Sequence, residues 1–481
     1  MSIGSNAPPD PKPGCLEGRR SALLLVLVTG LIGFARLPVP GLRTFASASG
    51  KLTATPGEGA VVLEGARLID GTGRAPLENA TLVVERGAIL AVGPNGSLPY
   101  PKEAKLVSLS GKTVMPALIC IHGHLGQTAD GMHPAAYTAE LVRSQLEKYL
   151  NYGVGTMLSL GGDQDLVYVL RAQQRSGGLP GARLYTAGRG FGVKGGYPPG
   201  SPPFESGMAD RYRPETPEEA RADVRELALN HPDLVKIWCD DDFGRMPKIK
   251  PEIYRAIIDE AHRHHLRVMA HVFYLADAQS LVDAGVDGLA HSVRDQAVDT
   301  KLIESMKARG VFLVPTLVRD ESTFAYANGP VWLHDPFFDA RLAPGILDAL
   351  GGAAFVAQQR ANPDLPRLRA AFEMGKRNLK TLFDAGVRIG FGTDSGPPLR
   401  FQGYFEHREL QLMVESGLTP MQAIVCATRN AAQDLGAGGR LGTLEPGKAA
   451  DFLVLDANPL DDIHNTEKLS AVWQSGKPVE R

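Results

Sequence analysis

The chain has 481 residues, a formal net charge of −2, and the apolar and Gly/Pro content of a globular protein. That balance gives no electrostatic basis for nucleic-acid binding. Past the N-terminus no uncharged apolar run is long enough to span a membrane, and Cys120, Cys239 and Cys426 make no disulfide framework.

The first segment reads as a leader. Arg19-Arg20 precede an uncharged run from Ser21 to Ala35, and Ala46-Ser47-Ala48 fits a small-residue cleavage site. Residues 1–48 are therefore expected to be a signal peptide, with the arginine pair compatible with a twin-arginine route. Export to a periplasmic or extracellular compartment follows, with no stable membrane span once the leader is cut. An uncleaved anchor is the alternative. Cys15 lies before the apolar run, so it is not a lipid-attachment cysteine of the usual kind.

Short apolar runs with turn residues between them fill the next stretch. Ala60–Leu63, Leu68-Ile69, Ala80–Val84 and Ala88–Val92 are separated by Asp70-Gly71-Thr72-Gly73 and similar breaks. A matching block, Ala450–Leu455 and Ala471–Gly476, closes the chain. Residues 59–113 and 438–481 are expected to pair into one composite β-sandwich.

Between them, residues 114–437 alternate strands with helices. Strands are expected at 114–121, 154–160, 183–187, 233–238, 267–272, 286–291, 311–315 and 387–393. Helical patterns include Pro217–Asn230, Pro251–His264, Leu275–Ala284 and Thr300–Arg309. This repeat is that of an α/β, (β/α)8 TIM-type barrel. A doubly wound open sheet is the runner-up. Residues 321–365 form an insertion that could serve as a lid.

Ligand-type residues recur at strand ends. His122-Gly123-His124 ends the first strand, and residues two apart on a strand point the same way. Lys236, His271, His291 and Asp394 end later strands. Taken singly, each has a plainer reading, such as a core histidine or a helix cap. Together they point to a metal site at the mouth of a barrel, suited to Zn²⁺ or a similar ion.

The segments V-M-P-A-L-I-C-I-H-G-H, L-V-K-I-W, A-H-V-F-Y, G-L-A-H-S and G-F-G-T-D-S-G, with the closing L-E-P-G-K-A-A-D-F, resemble the amidohydrolase superfamily. The similarity is to its imidazolonepropionase-like and Xaa-Pro dipeptidase-like branch, over residues 60–481. The resemblance implies two divalent metal ions, Zn²⁺ foremost. His122, His124 and Asp394 would hold one, His271 and His291 the second, and a carboxylated Lys236 would bridge them. It implies hydrolysis of an amide or peptide-type C–N bond in a small-molecule substrate, a dipeptide, N-acyl amino acid or lactam. A hydroxide held by the metals would attack, with Asp394 as proton shuttle.

Lys236 carries its own physical argument. An ammonium has no lone pair to give a metal, but burial and nearby positive charge lower its pKa. The neutral amine can take up CO₂ and become an anionic two-oxygen ligand. Two features depart from the family: Cys120 stands where Asp is usual, and Phe273, not tyrosine, stands two residues after His271. Arg189, Tyr197 and Tyr274, with Arg294 and Arg319, are candidate substrate contacts. The Gly-rich loop 188–197 could close over a ligand, and His407 could lie behind the ligands. A mononuclear deaminase and a non-catalytic metal-binding scaffold are the rival readings, and a homo-oligomer is left open.

If the leader is cut, N-terminal sequencing of protein from the native host is expected to begin near Ser49. An intact Met1 would count against export.

Overall fold

The computed structural model describes residues 59–198 and 211–480, so the expected leader and its cleavage site lie outside the described residues. Segments from the two ends of the described residues form one eight-stranded sheet. Its strands are β1 (Val61–Leu68), β2 (Leu77–Glu85), β3 (Ala88–Pro94), β4 (Lys105–Ser108), β5 (Thr113–Pro116) and, from the far end, Phe452–Leu455, Leu469–Gln474 and Lys477–Pro478. The segment Phe452–Leu455 pairs antiparallel with β5, which joins the C-terminal strands to the N-terminal ones. Alternation sends Leu63, Leu82, Val84 and Phe452 into one apolar cluster and Val62, Val83 and Leu90 into another. Phe452 stacks on Trp473 at 5.2 Å.

Two departures from the sequence reading have simple causes. Ala60–Leu63 and Leu68-Ile69 are parts of a single strand, because Gly65 at φ +89° absorbs a register shift against β2. The run 114–121 is two strands, not one. Pro116 has no N–H with which to extend a ladder. The ladder shifts there: Ala117 N–H donates to Asp451 O, and β6 (Leu118–Gly123) leaves for a different sheet.

The middle of the chain is α/β. β6, β7 (Val154–Ser159) and β8 (Arg183–Thr186) form one parallel sheet. β9 (Val235–Trp238), β10 (Val268–His271), β11 (Gly288–Ala290) and β12 (Phe312–Val314) form another. Both run in chain order, without the reversal that a doubly wound sheet requires. The helices fall where capping residues start them. Thr216 and Glu219 make a reciprocal capping box for Pro217–Ala228, and Asp299 caps Thr300–Arg309, which ends at Gly310 with φ +70°.

Hydrogen bonds link the two parallel sheets. On one side Asp233 N–H donates to Thr186 O, Phe191 N–H to Lys236 O and Trp238 N–H to Phe191 O. On the other, the expected strand 387–393 is not a regular strand but a bridging segment. Gly390 N–H donates to Leu313 O, and Ile121 N–H donates to Phe391 O. Its glycines explain how close it runs. A Cβ at Gly392 would lie 2.5 Å from His122 Cβ, and one at Gly390 would lie 2.7 Å from Asp434 Oδ2. The insertion after β12 is built of short helices, and it buries Trp332 and Phe338 against the core.

Asp451 fastens the composite sheet to the parallel strands. It accepts a two-pronged pair from Arg183 on β8 at 2.7 and 3.0 Å and the Ser475 N–H at 2.7 Å. Asp451→Ala strands both donors and is expected to destabilise the fold by about 1–3 kcal/mol. Thermal unfolding followed by circular dichroism measures this; an unchanged midpoint would remove Asp451 from that role.

Candidate metal centre

The ends of the parallel strands deliver the ligand-type side chains to one buried place. His122 and His124 leave β6 and are 1% and 5% exposed; Asp394, on the bridging segment, is 6% exposed. Asp394 Oδ1 lies 2.8 Å from His124 Nε2 and 3.6 Å from His122 Nε2. These three side chains can offer ligand atoms that all lie within 4.8 Å of one another. The ring of His291 stands 4.8 Å from that of His122 and 4.2 Å from that of His271. Lys236, on β9, is fully buried, and its charge acts on His122 and His271.

The imidazoles are oriented from behind. His124 Nδ1 is 2.9 Å from Gly161 O, an acceptor, so the proton sits on Nδ1 and Nε2 faces Asp394. His271 Nε2 is 2.7 Å from the Asp240 carboxylate, which leaves Nδ1 with the lone pair. His291 Nδ1 meets Thr316 Oγ1 at 2.5 Å. Asp240 stands two residues past β9 in the acidic run Asp240-Asp241-Asp242, and that run was its only sequence signal.

Burial sets the protonation states. It pushes His122 and His291 well below the usual imidazole range and His271 down to about 4, so these rings are neutral near pH 7. Lys236 is brought down to about 7 by burial and by Arg319, against the pull of Asp394. Burial would raise the Asp394 carboxyl, but Arg400 and the two imidazoles hold it well below the carboxylate range. Arg400 Nη1 donates to its Oδ2 at 2.6 Å.

The donor set fits a cation. His122 Nδ1 and Lys236 Nζ are buried with no hydrogen-bond partner. The His124 lone pair and the Asp394 oxygen face each other at 2.8 Å, an approach that needs a proton or a metal ion between them. His291, Thr316 and Asp394 also hold positive φ values of 73°, 51° and 56°, a cost tolerated where the side-chain direction matters.

The candidate substrate contacts separate. Tyr197 packs its ring 5.1 Å from that of His271 and accepts from Arg319 Nη2 at 3.0 Å. Arg319 Nε reaches to 3.6 Å from Asp394 Oδ2. Arg189 is instead held by Asp165 at 2.6 Å and lies over Tyr212. Tyr274 donates to Asp241 at 2.9 Å. Neither Arg189 nor Tyr274 lines the cavity beside the centre, whereas Tyr197, Arg294 and Arg319 do. In the Gly-rich loop, Gly190 makes room for Trp238 and Lys236: a Cβ there would lie 2.7 Å from the indole. His407 is a buried strut between Tyr152 O and Thr466. Cys120 faces Thr393, whose hydroxyl donates to the buried Glu406 at 2.6 Å.

The sequence profile of the amidohydrolase family matches residues 113–479. The chain belongs to the amidohydrolase family. An ochratoxinase from Aspergillus niger is 28% identical over 449 residues, covering 85% of this chain and 84% of that protein. An imidazolonepropionase from Geobacillus thermodenitrificans is 25% identical over 417 residues, covering 79% and 84%. Among solved structures, a Xaa-Pro dipeptidase with bound methionine superposes with a TM-score of 0.71 at 23% identity, over 88% of this chain and all of that one. These neighbours imply a TIM-barrel-type fold and bear out the superfamily resemblance of the sequence motifs.

Proposed function

We propose that this protein is a binuclear metal-dependent amidohydrolase that cleaves an amide or peptide-type C–N bond of a small molecule. The observation that carries this reading is the convergence of four imidazoles, a low-pKa carboxylate and a lysine without a hydrogen bond in one buried site. His122, His124 and Asp394 would hold one ion and His271 and His291 the other, with Lys236 between them. Lys236, once neutral, adds its nitrogen to CO₂ and sheds a proton, which turns an orphaned amine into a bridging carboxylate. When bound, the ions supply Lewis-acid polarisation of the scissile carbonyl and an acidified water.

The chain's own residues do the rest. Arg400 pins Asp394 Oδ2 and leaves Oδ1 toward His122 and His124. That oxygen accepts the proton of the attacking water and returns it to the leaving nitrogen. Asp240, Thr316 and Gly161 keep the imidazoles aimed. Tyr197 and Arg319 line the cavity beside the centre. A mononuclear alternative would rest on the tight group of His122, His124 and Asp394 alone.

Three wider readings belong to the same proposal. The parallel strands close as a (β/α)8 barrel over 114–437, with 388–395 as the eighth stave; its bonds to β12 and β6 support this. The end-built sheet over 59–113 and 438–481 is a sandwich, supported by apolar clusters of opposite strand parity. The protein is exported, on the strength of its leader-like N-terminus.

Asp394→Asn is expected to lower kcat by about 10²–10⁴ on any amide the wild type turns over, while the fold stays intact. A variant with near-wild-type kcat would end the shuttle role.

Lys236→Ala is expected to reduce bound metal from two ions toward one and to suppress turnover, with partial recovery on adding short carboxylates. Elemental analysis of both proteins decides this: one ion in wild type, or two in each, leaves no bridge.

A further inference from the structure

A cavity of about 280 Å³ opens beside the metal centre, and the charges that line it form two tiers. The inner charges are paired within the wall. Asp240 lies 2.7 Å from His271 Nε2, Asp320 lies 2.7 Å from Arg319 and 3.4 Å from Arg294, and Arg319 Nε faces Asp394 Oδ2 at 3.6 Å. The outer charges join two separate parts of the chain. Arg245 and Asp242 belong to the loop after β9, and Asp364 lies at the end of the insertion, 119 residues from Arg245. Arg245, with half its side chain exposed, donates to Asp364 Oδ2 at 2.5 Å and stands 3.6 Å from Asp242 Oδ2. A second contact joins the same two parts: the Arg367 guanidinium lies 3.8 Å over the Phe243 ring.

The loop is pinned at its base and strained at its tip. Asp241 accepts the Tyr274 hydroxyl and the Gly244 N–H, each at 2.9 Å, and Lys248 Nζ stands 3.3 Å from it. Asp242, Phe243 and Gly244 then hold successive φ values of 47°, 62° and 83°. Two adjacent non-glycine residues in the left-handed region are costly, and such a turn keeps its shape only while its surroundings hold it. Part of what holds this one is a half-exposed ion pair and a cation–π contact at the rim of the cavity. Ion pairs of that kind are weak and screened by salt.

We propose that the tip Asp242–Arg245 is a clasp over the cavity mouth. Asp364 and Arg367 hold it closed, and loss of their two contacts lets the strained turn relax away from the insertion and opens the way to the strand-end centre. The inner charges do not take part, because each already has a partner in the wall. The clasp itself is independent of any bound metal; its use in admitting a substrate rests on the amidohydrolase reading of the centre.

Ala371 lines the cavity and is 7% exposed, so Ala371→Cys puts a thiol in its wall. Alkylation of that thiol by iodoacetamide, an uncharged reagent, reads entry into the cavity, followed by mass spectrometry of the peptide that carries residue 371 in the full-length protein. Adding Arg245→Met is expected to speed labelling about two- to fivefold, the size of a half-exposed ion pair. Raising the ionic strength from about 0.01 M to about 1 M is expected to speed it by a similar factor in the parent and to leave the Arg245→Met protein unchanged. Exchanging the charges, with Arg245→Asp and Asp364→Arg together, should bring the rate back toward that of the parent. Equal labelling with and without Arg245→Met overturns the clasp, as does a salt response that survives in Arg245→Met. Should Ala371→Cys fail to fold, hydrogen exchange over residues 241–246 in the otherwise unaltered chain serves: it is expected to quicken in Arg245→Met, and no change overturns the clasp. Zinc bound per chain, measured on the same proteins, separates the two claims. Faster labelling in protein that binds no zinc ends the hydrolase reading and keeps the clasp. Bound zinc with labelling unchanged by Arg245→Met keeps the hydrolase reading and ends the clasp.

Discussion

The Asp394 carboxylate is the charge on which the centre depends. It is sunk where the segment 388–395 runs between β12 and β6, and its own N–H donates to His122 O. A lone buried carboxylate would take a proton. This one stays ionised because Arg400 bonds it, and Arg319 and two imidazoles stand close by. Each of those partners has in turn been committed to that place. Arg319 sits on a short helix, Leu317–Ser322, whose first free N–H groups, those of Leu317 and Val318, are both taken by the buried Glu409. Glu406 grips Thr393 and Ser395 on either side of Asp394 and the Gly403 N–H beyond. A left-handed φ at a non-glycine residue is tolerable when the flanking hydroxyls are fixed in this way.

The same region collects unpaired polar atoms. His122 Nδ1, Lys236 Nζ, Arg294 Nη2, Arg319 Nε and Asp320 Oδ2 are all buried without a hydrogen bond. By contrast the half-buried Asp233 is closely paired, with Arg171, Arg175 and the Thr186 N–H. Buried polar atoms without a hydrogen bond occur elsewhere too, as at Asp434 Oδ2, Gln279 Oε1 and Trp332 Nε1, and the five named here cost the fold stability. Groups of opposite character, bare lone pairs and bare N–H donors, stand side by side.

Local signals carried most of what could be read in advance. The H-x-H pair, the strand-end lysine and the later histidines were legible because strand alternation and apolar runs depend only on near neighbours. Helix starts were legible where Thr216 or Asp299 caps the first turn. What could not be read depended on distant partners. Pro116 divides an apolar run because Asp451, far along the chain, accepts the next N–H. Residues 387–393 have strand composition, but the neighbours on both sides fix their path and leave no room for a side chain at 390 or 392. Arg189 and Arg319 look alike in sequence. Asp165 captures the first, and Glu409, 92 residues from Leu317, positions the helix of the second.

Cys120 shows how a departure from family pattern is absorbed. A carboxylate at that position would face the buried carboxylate of Glu406, which already acts electrostatically on the Cys120 thiol and, with burial, drives its pKa well up. Two buried acids at contact cannot both ionise without a cation between them. Here a neutral thiol borders Thr393, and Glu406 supplies the acceptor oxygen for the hydroxyls of Thr393 and Ser395. The carboxylate behind Asp394 has thus been provided from a helix after the bridging segment rather than from β6. The Asp394 loop is held by hydrogen bonds from its own downstream helix, Tyr404–Glu415, so its geometry does not depend on a charged residue in the strand that carries the histidines.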